Sequence, residues 1–167
     1  MRSFARFFSW LLLLGLTLPA SPVVAAPPAN GELAAFAELV VGEWKAADSR
    51  HVLEWGVGQT AIRSRGYFMI AGEWKLVSEG LWYADPAGEG VRGIVVATDM
   101  PVTLFEYHSR VRDQTVVHDL LSHGEQGGRY VETWEFALEG YRWTLQQERD
   151  GLLAKIMGGK YVRDSGA

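Results

Sequence analysis

The chain has no cysteine, which excludes disulfides, thiol chemistry and a lipidated N-terminal cysteine, so the fold must be held by its core alone. It also has no Gly-X-Ser-X-Gly elbow, no phosphate-cradling glycine loop and no His-Glu-X-X-His helix. The common signatures of acyl hydrolases, nucleotide enzymes and zinc proteases are therefore missing. Beyond residue 41 no stretch has convincing helical spacing. Positive charge is short as well, with 16 Lys and Arg against 20 Asp and Glu. That balance argues against nucleic acid or an anionic membrane surface as a partner.

What is present begins with a three-part segment. Arg2 and Arg6 precede an uncharged apolar run from Phe7 to Leu18, and Pro19 to Ala26 form a small-residue region ending Val23-Val24-Ala25-Ala26. This is the layout of a secretory signal, residues 1–25, since Pro19, Ser21 and Pro22 break the run as a membrane span; cleavage is placed after Ala25 because a cut after Ala26 would set Pro27 next to the scissile bond. The expected product is secreted or periplasmic, soluble and free of the membrane, with 14 basic and 20 acidic residues. About 140 residues suffice for one domain with a sizeable core. Residues 26–37 are read as a linker and the body of a short helix over 32–41, whose apolar positions Leu33, Phe36, Leu39 and Val40 share one face.

From residue 38 to 163 the pattern is alternation punctuated by turns. Strands are expected near 41–46, 51–57, 59–70, 73–83, 91–98, 102–111, 115–122, 128–138, 141–149 and 152–163. Between them lie Ala71-Gly72, Pro86-Ala87-Gly88, Gly124 to Gly128, Glu139-Gly140 and Asp150-Gly151. The fold class this implies is all-β, an up-and-down antiparallel barrel of about ten strands with a short N-terminal helix as plug or cap.

Particular motifs sharpen the expectation. Gly42-Glu43-Trp44 after a short helix resembles the Gly-X-Trp opening of lipocalins and their calycin relatives. Glu54-Trp55-Gly56, Ser78-Glu79-Gly80-Leu81-Trp82-Tyr83 with Asp85-Pro86, Tyr130 to Phe136, and the close from Met157 to Arg163 resemble a bacterial family of uncharacterised, often exported lipocalin-like proteins. The resemblance implies a calycin-type barrel and is silent on activity.

Turn positions suggest which side chains face inward. An Asp150-Gly151 loop pairs Leu145 with Ile156 and Trp143 with Gly158, and a Glu139-Gly140 loop pairs Trp134 with Leu145 and Glu132 with Gln147. The inner face then carries Tyr130, Glu132, Trp134, Phe136, Trp143, Leu145 and Ile156. Glu132 is its one charged member and must find donors or take up a proton. An Ala71-Gly72 loop sets Arg63 opposite Gly80 and Arg65 opposite Ser78, on the face of Trp74 and Trp82, where a guanidinium can grip a carboxylate bidentately. A one-residue slip would turn both arginines outward.

Fatty-acid-binding calycins hold a carboxylate with Arg and Tyr on the last strand, and this chain ends Tyr161-Val162-Arg163. The hairpin register puts that pair outside unless a bulge near Gly158-Gly159 turns it inward, and closure of the barrel is the alternative use. His108 faces His118, with Glu106 nearby, only if the loop at Arg112-Asp113-Gln114 has three residues; a two-residue loop separates them. His51 and His123 sit near turns and are read as solvated. No metal or cofactor is expected.

The function that follows is extracytoplasmic binding of a small amphipathic or acidic molecule. The expected ligand-facing residues are Arg63, Arg65, Trp74, Trp82, Glu132, Trp134, Gln147, Tyr161 and Arg163. A cavity enzyme of isomerase or cyclase type, using Glu132 or Glu106 with His108, and a filled structural or partner-binding barrel are the alternatives.

Overall fold

The computed structural model describes residues 31–98, 102–124, 127–149 and 151–164. The export segment, its cleavage site, residues 26–30, the middle of the Gly124–Gly128 turn and Asp150 lie outside the described residues. Helix α1 (Gly31–Val40) leads into β1 (Gly42–Lys45), β2 (Ser49–Trp55), a single 3-10 turn (Val57–Gln59), β3 (Ala61–Ile70), β4 (Glu73–Ala84) and β5 (Val91–Ala97). The remaining strands are β6 (Leu104–Arg112), β7 (Thr115–His123), β8 (Gly128–Ala137), β9 (Gly140–Arg149) and β10 (Leu152–Arg163). Each strand pairs antiparallel with the next, and β10 returns to β1 to close a ten-stranded barrel.

Hairpin chemistry accounts for much of this order. Ala71 and Gly72 both take left-handed φ, 53° and 85°, the conformation whose twist matches that of the flanking strands. The β6–β7 loop is the two-residue Asp113-Gln114, since Arg112 pairs with Thr115.

Two bulges correct the register read from the turns. Between Gly66 and Tyr67 the partner on β4 jumps from Ser78 to Leu76, leaving Val77 extra. Arg63 therefore lies opposite Leu81 rather than Gly80, and Arg65 opposite Glu79 rather than Ser78. Ile62, Ser64 and Gly66 turn inward in their place, because successive strand residues alternate faces. On β10 the extra residue is Ile156, so Leu145 pairs with Met157 and Trp143 with Gly159. Ile156, expected inside, is 46% exposed. The β8–β9 loop is Leu138-Glu139, which pairs Trp134 with Trp143, Glu132 with Leu145 and Tyr130 with Gln147. Because that change is an even number of residues, Glu132 and Trp134 keep the predicted face.

One end of the barrel is filled. Leu33, Phe36 and Val40 of α1 are buried against Ile62, Trp82, Val91 and Val116, and the Phe36 and Trp82 rings meet at 5.4 Å. The apolar face of the helix is thus its reason to be helical, as ten isolated residues would not hold a helix.

The seam is short and closed largely by side chains. Among the described residues only Trp44 with Arg163 and Lys45 with Val162 pair β1 to β10. Arg163 lies over the Trp44 ring at 4.9 Å and donates to the Val41 carbonyl at 2.8 Å. Trp44 in turn donates its indole N–H to the Val40 carbonyl at 2.8 Å. Next along β10, Tyr161 is buried because the Ile156 bulge has reversed its face. Its hydroxyl bonds Ser49 Oγ at 2.8 Å and its ring stacks on Tyr141 and His51 at 5.1 and 4.6 Å. Tyr161 and Arg163 thus stitch the closure. Arg163→Met keeps the aliphatic stem but removes the cation and the donor, and should lower the unfolding free energy by about 1–2 kcal/mol in denaturant titration.

Candidate functional site

Above the plug the barrel is hollow. The cavity has a volume of about 230 Å³ and is walled by Phe68, Trp82, Phe105, Tyr107, Trp134 and Trp143, with Ser64, Gly66 and Ser78 along one side. Larger hollows of about 530 Å³ lie beside α1 and the Gly88–Gly90 loop, and around Glu135–Arg142. Those are clefts outside the barrel interior, whereas the cavity has the apolar walls and few polar groups that define a ligand pocket.

Glycines let the cavity floor pack closely. A Cβ on Gly80 would stand 2.7 Å from Ser64 Oγ and 2.6 Å from Val95 Cγ2, and one on Gly93 would stand 2.6 Å from Trp82 Cζ3. With glycine there, the Trp82 indole lies against the β5 backbone as the cavity floor, and its N–H donates to Ser64 Oγ at 3.0 Å.

The polar groups are few and buried. Glu132 Oε1 accepts the Trp134 indole N–H at 2.8 Å. Burial, partly opposed by that hydrogen bond, raises the carboxyl from 4.5 to about 7. The Tyr107 phenol is pushed up by burial and then by the Glu132 charge. His51 Nδ1 meets Tyr141 Oη at 3.2 Å and its Nε2 meets Tyr161 Oη at 3.4 Å; burial lowers its pKa to about 4. Beneath the cavity, His118 is wholly buried, 4.4 Å from the Trp134 ring. Its Nδ1 bonds Ser109 Oγ at 2.7 Å, its Nε2 has no partner among the described residues, and burial lowers its pKa to about 3.

Of the side chains singled out in the sequence, the structure brings Trp82, Glu132 and Trp134 together at the cavity. Arg65 borders it, but its guanidinium bonds Glu54 at 3.0 Å, and Arg63 joins the same carboxylate at 2.8 Å. Both arginines belong to the outer face, the outcome of the register shift at the Val77 bulge. Trp74 is paired with Met69 near the tip of the β3–β4 hairpin and does not line the cavity. Gln147 faces Tyr130, and its Oε1 accepts from Arg149 Nε at 2.9 Å. Tyr161 and Arg163 belong to the seam. The two-His set is split: His108 pairs with Asp119 and approaches the Glu89 carbonyl at 2.6 Å, His118 pairs with Ser109, and Glu106 lies 2.9 Å from His123. Among the described residues no three His, Cys, Asp or Glu side chains gather as metal ligands.

His51, expected to be solvated beside a turn, instead lines the cavity. Its signal is Leu53 two positions on, which is buried, because strand phase repeats every second residue. Tyr107 gives no such signal, because its neighbours alternate without a clear apolar face.

Comparison with protein-family models, curated proteins and solved structures gives no match. Fold and site nevertheless define a class, a closed ten-stranded antiparallel barrel compatible with a calycin-like architecture, plugged at one end and hollow above.

Proposed function

We propose that the protein is an exported binding protein that holds one small, mainly aromatic or apolar molecule inside the barrel. The observation that carries this reading is the cavity of about 230 Å³ walled by Phe68, Trp82, Phe105, Tyr107, Trp134 and Trp143. A purely structural barrel would fill that space with side chains, because interiors pack to crystal-like density. The layout of residues 1–25 and the likeness to exported lipocalin-like proteins support an extracytoplasmic site. Protein purified from its own cell envelope and examined by native mass spectrometry should carry a retained small molecule whose release raises tryptophan fluorescence. Empty protein that also shows no thermal shift with any of a broad ligand panel overturns the reading in favour of a structural barrel.

Glu132 supports a second reading. A buried carboxyl raised to about 7 among aromatic side chains is suited to general-base work. In that case the bound molecule would exchange a carbon-bound proton with heavy water in the wild type, and the exchange would stop in Glu132→Gln.

A further inference from the structure

Resting on the binding reading, the charge layout of the cavity narrows its ligand. The groups that face Glu132 are His118 from β7, its register partner, and Tyr107 from β6, Tyr141 from β9 and Tyr161 from β10, each of which its charge reaches. His51 on β2 and Arg65 on β3 complete the cavity's titratable lining. Among the described residues no cation bonds Glu132. Arg65 borders the cavity, but its Nη2 donates at 3.0 Å to Glu54 on the outer face, a carboxylate it shares with Arg63, and its Nε is buried without a partner. Both ring nitrogens of His51 are taken by tyrosine hydroxyls, and burial holds both histidines neutral. Glu132 itself accepts a hydrogen bond from Trp134 at Oε1. The cavity is therefore an aromatic box with one carboxylate to which no cation is bonded.

From this geometry we infer that the ligand is a small aromatic amine, bound as its ammonium ion with the nitrogen on Glu132 and the ring against the aromatic wall. An acid would be repelled and left unpaired. An ammonium ion gains a charge-assisted hydrogen bond and the faces of surrounding rings. Size agrees, since an apolar cavity of about 150 Å³ holds benzene, and about 230 Å³ here accommodates a ring with a short side chain. Proton balance is explicit: the amine enters already protonated, the neutral Glu132 carboxyl ionises, and its proton leaves to solvent.

The test compares phenethylamine, its neutral analogue propylbenzene and 3-phenylpropionate by calorimetry and tryptophan fluorescence. At about pH 8 phenethylamine should bind about 10–100-fold tighter than propylbenzene, the scale of a charge-assisted hydrogen bond. Below about pH 7 that preference should fall about tenfold per pH unit, and calorimetry in buffers of different ionisation heat should register about one proton released per amine near pH 6. Glu132→Gln should bind amine and propylbenzene alike, and its retained propylbenzene affinity reports an intact cavity. Equal binding of propylbenzene or phenylpropionate and amine by the wild type, or amine binding without proton release, overturns the amine assignment and leaves the binding reading standing. Silence toward all three probes overturns both. The proton count needs no variant, so misfolding of Glu132→Gln leaves the inference testable.

Discussion

Replacing Glu132 by glutamine should stabilise the protein by about 2–3 kcal/mol at about pH 8, although it removes a carboxyl from the centre of the site. In the unfolded chain this group titrates near 4.5, and in the barrel burial raises it to about 7. Below 4.5 both states hold the proton and the carboxyl is neutral in its effect. Between 4.5 and about 7 only the folded state holds it, so stability falls as pH rises and this contribution is fully lost above the folded value. The glutamine amide of the variant can still accept from Trp134 without carrying a charge. Guanidinium midpoints measured from about pH 4.5 to pH 9 should be closest at the acid end, diverge progressively as pH rises, and differ by the full amount above about pH 7. A variant less stable than wild type at about pH 8 would show that the carboxylate is held by donors the cavity does not display. Stability gained on removing a site residue is the usual mark of a position kept for function.

The buried histidines work in the opposite direction. His51 and His118 have folded values of about 4 and about 3 against an ordinary 6.5. The unfolded chain binds these protons first, so stability is complete above 6.5 and is lost as pH falls. With the carboxyl opposing them, wild-type stability should be greatest near pH 6.5 and should drop steeply toward pH 4. The Glu132→Gln protein should lack the shallow decline above pH 6.5.

Trp82→Ala should cost about 3–5 kcal/mol by a cavity mechanism. The indole is 2% exposed and touches Phe36, Tyr107, His118 and Trp134, with ring centroids between 4.7 and 6.1 Å. It is both the lid over the plug and the floor of the cavity, so its removal merges two packing regions that neighbouring strands cannot close. Trp74→Ala is the control, since Trp74 is 38% exposed at a hairpin tip and should cost less than about 1 kcal/mol. Equal midpoints for the two variants would contradict the placement of Trp82 at the plug.

Much of the fold is legible along the chain because local rules govern it. Glycine-bearing turns and period-two alternation fix the number of strands and their boundaries to within a few residues, and the helix appears where Leu33, Phe36 and Val40 recur on one face. The inward face of Glu132 and Trp134 also follows from a turn, and survives a loop misplaced by an even number of residues. The site as a whole is not legible in this way. Val77 and Ile156 are bulged residues whose only local signature is an extra position in an alternating run, and each shifts by one the pairing between its strand and the neighbour. The first sends Arg63 and Arg65 out to Glu54; the second brings Tyr161 inside against His51. Local pattern alone thus dictates an all-β barrel with an aromatic interior and one buried acid. That no cation bonds this acid among the described residues emerges only in three dimensions, because register, unlike alternation, is set by closing the whole ring of strands at once.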